Sequence, residues 1–236
     1  MVKHIFLFIG ITVFIIQSNA LTQDIKSPEK TLIYEDSTSI LARDAKHFVQ
    51  IGFGLFNAPF DFKAKEWQRC GMVTASTALL FFIDKDVKRF ALNNQNQRND
   101  RLFDVDQYHG NIYTAFLASG TYGLGYFINN DKIRLMGLHS MEAFVYSGIV
   151  SSFFNTILRR RRPYGGESNL IFKPFHLKTL YTALPSGHTT LSFAVSTVMA
   201  KSYNNFLWKS FWYGSAGMVA ASRIYHNKHW VSDVFL

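Results

Sequence analysis

Apolar residues in this chain come in long blocks rather than in alternation. Ile112 to Ile128, Leu135 to Leu158, Leu191 to Ala200 and Phe206 to Ala221 are mostly apolar, carry Ala, Gly and Ser throughout, and show no steady period of two, which predicts helices rather than strands. Cys70 to Ile83 is a shorter block closed by Asp84-Lys85-Asp86, and Val87 to Leu92 extends it along one face. Phe48 to Phe60, with two glycines and Pro59, reads as an amphipathic surface segment. Between the blocks, residues 21–45 form a mixed polar lead containing Pro28 and ending in a short helix, and Asn93 to Asp106 reads as loop. The expected fold class is all-α, a bundle of about six core helices, with no internal repeat and no low-complexity tract.

A chain of 236 residues supports one domain with a sizeable core. Its first twenty residues change the picture by pointing out of the cytoplasm: Lys3 and His4 form a basic start, Ile5 to Ile16 an apolar stretch, and Ser18-Asn19-Ala20 a small-residue cleavage site. Residues 1–20 therefore read as a signal peptide, with an uncleaved anchor as the alternative. The single cysteine, Cys70, has no partner for an internal disulfide and reads as a buried apolar residue.

A membrane-crossing helix needs about 20 mostly apolar residues. Cys70 to Ile83 is too short for that, Leu135 to Leu158 is interrupted by His139 and Glu142, and the mean hydropathy is only +0.02. The expectation is an exported domain, either periplasmic or associated with the outer face of the inner membrane. Net charge of +9 and a pI near 9.6 suit anionic partners, whether phosphate esters or an anionic membrane surface. No helix-turn-helix, finger or aromatic strand signature supports nucleic acid.

The candidate chemistry lies in three stretches. His229 and Asp233 are four residues apart, so on a helix they share a face, and the carboxylate can fix the imidazole tautomer that leaves the other nitrogen free to attack. His226 has Trp230 at the equivalent position, which favours His229. Arg223 supplies a guanidinium able to grip two phosphate oxygens. Pro185-Ser186-Gly187-His188 opens a helix, where free amides make a cradle for an anion and His188 stands ready to protonate a leaving group. Arg159-Arg160-Arg161-Arg162-Pro163 closes the 135–158 block, and the proline fixes where Arg162, the preferred phosphate ligand of the four, points.

These stretches resemble the signature of the type 2 phosphatidic acid phosphatase superfamily, whose helical core is shared with the vanadium haloperoxidases. That signature runs Lys-x6-Arg-Pro, Pro-Ser-Gly-His, then Ser-Arg-x5-His-x3-Asp, and the corresponding residues here are 155–163, 185–188 and 222–233. The second and third parts are complete, and the resemblance extends over residues 70–236, leaving 21–69 as an N-terminal lead.

The resemblance implies a metal-free phosphohistidine route: His229 attacks, Asp233 orients it, His188 protonates the leaving group, and Arg162, Arg223, Ser186 and the Gly187 amide hold the phosphoryl oxygens. It implies no cofactor, with vanadate as an inhibitor, and a phosphorylated lipid or small phosphate ester as substrate. A phosphoric ester hydrolase is the leading reading. A non-catalytic envelope protein binding phosphorylated lipid is the alternative from another class, and a haloperoxidase is the enzymatic runner-up. Two departures stand out. Asn155 occupies the lysine position, a loss of charge that Arg159, or secondarily Arg160, could make good. The chain also stops three residues after Asp233, where the family's last helix continues, so truncation at the C-terminus is expected.

Overall fold

The computed structural model describes residues 39–236; the expected signal peptide and most of the polar lead lie outside that range. The described residues are almost entirely helical. In chain order the α-helices are α1 (Ile40–Asn57), α2 (Ala64–Leu80), α3 (Asp84–Asn93), α4 (Gln97–Phe103), α5 (Ile112–Phe127), α6 (Asp131–Leu158), α7 (Gly187–Ser202), α8 (Phe206–Tyr225) and α9 (Val231–Phe235). Short 3₁₀ turns punctuate the connections, and one isolated antiparallel bridge joins Arg160 to Phe172.

Asparagines set several helix starts. Asn96, Asn111, Asn130 and Asn205 each accept a backbone N–H of the first turn of α4, α5, α6 and α8, meeting donors the helix itself leaves unpaired. Two sequence expectations are corrected here. The polar stretch 93–106 is not loop: Asn96 starts α4, and Asp100 accepts the Tyr225 hydroxyl at 2.5 Å, so a tertiary contact holds a helix that has no apolar period. Val87 to Leu92 does not prolong the preceding helix but belongs to a separate α3.

Packing is built around α7. Every residue from Ser192 to Ala200 is buried, so this helix runs through the interior with apolar or small residues on all sides. It packs against α8 on one flank and α6 on another, while α5 and α6 form a close antiparallel pair. Gly125 and Gly137 permit that closeness, because a β-carbon at either would lie 2.1 Å from a backbone nitrogen of the facing helix. The main apolar cluster joins Val73 and Val87 to Phe193, Ala220, Ile224, Val231 and Phe235. The short α9 thus sits wholly in the core, although it is only one turn long.

No helix among the described residues is long and apolar enough to cross a membrane. Cys70, expected in the core, is only half-buried on α2.

Candidate active site

The four arginines at the end of α6 are sorted by an extended segment. Arg161 N–H donates to Ile171 C=O on one side, and Arg162 N–H donates to Leu180 C=O at 2.8 Å on the other. Extended backbone alternates side chains, so Arg160 and Arg162 share a side that Arg161 does not. Arg161 accordingly turns back to the Gly165 carbonyl. Arg159 caps α6 in the left-handed region, at φ 43°.

Arg160 is fully buried. Its guanidinium donates to Asp233 Oδ1 at 2.5 Å, Ser232 Oγ at 2.7 Å, Asp84 Oδ2 at 2.5 Å and the Asn169 carbonyl at 2.8 Å, and it lies 4.0 Å above the Phe81 ring. Arg160 is therefore an internal tie between the start of α3 and the start of α9, with no face left for substrate. This corrects its secondary candidacy as the replacement for the missing lysine. Lys88 reinforces the same region by donating to the Pro163 carbonyl at 3.1 Å, which fixes the turn after Arg162.

Around this frame the three motifs meet. Ser186 N–H donates to the Asp233 carbonyl at 2.9 Å, Ala183 N–H donates to the Arg160 carbonyl, and His229 N–H returns to the Arg223 carbonyl. His229 itself is buried, and its Nδ1 contacts the Ala183 carbonyl at 2.7 Å. A carbonyl can only accept, so Nδ1 carries the proton and Nε2 keeps its lone pair.

Here the sequence expectation for Asp233 meets a different geometry. The carboxylate is 3.9 Å from His229 Nδ1, beyond hydrogen-bonding distance. The reason is local: His229 precedes α9 rather than standing on it, and Asp233 reaches back to cap Trp230 N–H at 2.7 Å while its other oxygen takes Arg160. Asp233 thus positions the His229 loop through Trp230, and the Ala183 carbonyl fixes the ring. No side-chain signal in the sequence could mark that carbonyl.

The electrostatics are those of a buried cationic basin. Burial holds His229 well below its ordinary 6.5, and the charges of Arg162 and Arg223, with a contribution from His188, push the same way. His188 is lowered to about 4 by burial first and by Arg223 next. Arg162 is lowered by burial, with Arg223 repelling it and Tyr164 and Asp233 opposing. These mutual effects bring His188, His229, Arg162 and Arg223 into one neighbourhood. Asp233, by contrast, is pushed up to about 7 by burial, which outweighs the opposing charge of Arg160, and nearby Asp84 adds to the rise.

Donors in the basin remain available. Arg223 gives Nη1 to Asp106 at 2.6 Å, but its Nε is enclosed without a protein acceptor. Arg162 makes only a 3.2 Å bond from Nε to Thr182 Oγ1. Ser186 precedes α7 without a side-chain cap hydrogen bond, so its side chain leaves the first amides of that helix, beginning with Gly187, unpaired. Its buried hydroxyl accepts from Thr189 Oγ1 at 3.0 Å, which leaves its own proton free to donate. Asn155 donates to the Pro185 carbonyl at 3.3 Å, so it steadies the approach to this cradle. Arg159 has an enclosed Nε with no protein acceptor.

Asp106 and the following loop were missed by the sequence reading. Gly110, at φ 79°, packs so tightly on α7 that a β-carbon there would lie 2.3 Å from the His188 carbonyl. Ser222 Oγ donates to the Phe103 carbonyl at 2.5 Å. The 103–110 segment therefore braces both the His188 helix and the Arg223 helix.

Comparison with known proteins bears on the same part of the chain. Residues 136–236, which hold all three motifs, match the PAP2 superfamily. This stretch of the chain is similar to that superfamily. It is also 41% identical over 167 residues to a lipid A 1-phosphatase of Porphyromonas gingivalis, an alignment covering 69% of this chain and 33% of the relative. The chain thus spans about a third of the length of the curated relative it matches. No solved structure matches it.

Proposed function

We propose that this chain is a phosphoric ester hydrolase of the PAP2 superfamily that removes phosphate from a phosphorylated lipid through a phosphohistidine intermediate, and that residues 70–236 form its catalytic domain. The observation that carries the reading is a buried, neutral His229 whose Nδ1 is committed to the Ala183 carbonyl, beside two arginines with donors to offer. A neutral imidazole with a free Nε2 is a nucleophile, and guanidiniums with helix amides stabilise the charge of a five-coordinate phosphorus without a metal ion.

In the first step His229 Nε2 bonds to phosphorus while the ester P–O bond breaks, and His188 transfers a proton to the departing oxygen. In the second step His188 takes a proton from water, whose oxygen displaces His229 and forms inorganic phosphate. Asp233 holds the loop that presents His229, and Arg162, Arg223, Ser186 and Gly187 hold the oxygens. The likeness to a lipid A 1-phosphatase favours a lipid phosphate over a soluble ester. Exposed Phe53, Phe56, Phe60, Phe127 and Phe153 support a domain that rests on the outer face of the inner membrane after export.

The test is phosphate release from lipid A, phosphatidate, a polyprenyl diphosphate and a soluble ester, with and without a chelator, together with acid-quench trapping. The expected outcome is chelator-insensitive release from a lipid, with radioactive phosphate trapped on His229. Loss of the nucleophile in His229→Ala should cut turnover by about 10⁴-fold or more. Turnover surviving in that variant would overturn the mechanism.

A further inference from the structure

In the N-terminal half of α6, away from the arginines that follow its last turn, lies a second polar cluster with no part in the phosphate chemistry. His139 and Glu142 stand three residues apart on one face of α6, and His47 meets them from α1. Glu142 is almost fully buried, with 1% of its surface exposed. His47 Nδ1 contacts one of its oxygens at 2.8 Å and His139 Nδ1 the other at 2.9 Å. The two rings are tilted at 59° with centroids 5.4 Å apart, so both present a nitrogen to one place from different directions. One donor atom from each of the three residues falls within 4.8 Å of the others.

We propose that His47, His139 and Glu142 bind a divalent transition metal of the zinc type, which staples α1 to the bundle. Two imidazole nitrogens and one carboxylate oxygen form a donor set suited to zinc and its neighbours, whereas magnesium and calcium prefer all-oxygen shells. A zinc ion with bonds of about 2.0–2.2 Å needs its ligand atoms somewhat further apart than these hydrogen bonds, an opening that small χ rotations of the two imidazoles supply. The side chains of His47 and His139 are 40% and 25% exposed, which gives the metal a way in and a water its fourth position.

The remaining contacts of α1 explain why a staple belongs here. The helix leaves Val49, Phe53 and Phe56 exposed and docks through polar contacts: Asp44 accepts from Tyr122 at 2.8 Å and from Arg134, and the Phe48 carbonyl accepts from Tyr146. With so little apolar burial along that seam, one metal joining α1 to α6 adds a cross-link that side-chain hydrogen bonds alone do not match.

The test uses the chelator-stripped protein titrated with zinc by calorimetry and with cobalt by visible absorption. Expected are one equivalent of zinc, the intense visible bands of tetrahedral cobalt, no uptake of magnesium at the same concentration, and a higher Tm with zinc. A His47→Gln/His139→Gln double variant should bind zinc more weakly by over about a hundredfold, since even loss of a group outside the metal's own ligands costs 10–100-fold. Glu142 is left intact in that variant because it is buried, and a circular dichroism spectrum matching the parent shows that the fold survives. Zinc uptake and Tm gain equal in the two proteins would overturn the proposal, as would failure of the parent to take up zinc. Phosphate release serves as a control: activity lost in His229→Ala with zinc binding intact separates this site from the catalytic one.

Discussion

Two adjacent ionic regions, each built on an arginine from the same four-residue run, have opposite characters. Around Arg160 the guanidinium donates to Asp84, Asp233, Ser232 and the Asn169 carbonyl, and all of it is buried. Around Arg162 and Arg223, donors stay available and cationic charge outweighs anionic. A saturated cluster fixes geometry and has nothing left for a ligand; an unsaturated one keeps binding capacity that an anion can satisfy. Placing both side by side holds the His229 loop steady without neutralising the basin, because Asp233 is occupied by Arg160 and Trp230 rather than by the arginines of the basin.

The comparison breaks most sharply on paired substitutions. Arg160→Met strands two buried carboxylates, and loss of one partner from a buried ion pair costs about 3–5 kcal/mol, so urea denaturation should show a loss of that size. Arg162→Ala should leave stability within about 1 kcal/mol, because it removes an arginine that burial already disfavours. It should lower kcat by about 10²–10³-fold, the usual effect of losing a donor aimed at transition-state charge. Equal stability losses in the two variants would show that the regions are one structural network.

Proton chemistry distinguishes the regions next. His188 sits near 4 in the free protein through burial and the charge of Arg223, and a bound phosphate dianion beside it favours its charged form. Its value therefore rises on binding, so the fall of kcat with increasing pH should have its midpoint above that of kcat/KM. The His188→Ala variant should lose this limb, and a limb unchanged in that variant would remove His188 from the proposed proton-transfer role. Stability responds differently. Asp233 is raised to about 7 from 3.8 by burial, so its contribution is complete below about 4 and is lost as pH rises through 7. Asp84→Asn removes the neighbouring charge that adds to this rise and should flatten that slope, measured as Tm against pH, while its remaining amide oxygen can still accept from Ser232.

Much of this was legible in the sequence because it was periodic or adjacent. The four long apolar blocks became α5 to α8: α5 and α8 begin at the expected Ile112 and Phe206, while the Asn130 cap starts α6 at Asp131, before the first residue of its apolar block. The residues of the three motifs could be named because their types are chemically restrictive. What could not be read was partnership at a distance. Asp84 and Asp106 look like solvated loop acids, and only the fold shows that they face Arg160 and Arg223 from 76 and 117 positions away. The role of the Ala183 carbonyl was illegible for a simpler reason, since every residue has one. A helical spacing argument paired His229 with Asp233, and it failed because the helix starts two residues too late.

The smallest effect concerns Asn155, where the signature that the chain resembles has lysine. Its amide makes one 3.3 Å bond to the Pro185 carbonyl, long for an N–H donor, so Asn155→Ala should cost no more than about 1 kcal/mol. Asn155→Lys is the more informative change. It places a flexible cation on the last turns of α6, beside the loop that leads to the amides of α7, and an added positive charge should favour the phosphate anion in ground and transition states alike. Such uniform binding lowers KM with little change in kcat, here by about three- to tenfold at low salt, and the gain should shrink as salt screens it. A rise in kcat instead would mean that the basin lacks charge in the transition state and that Arg162 and Arg223 do not by themselves complete it.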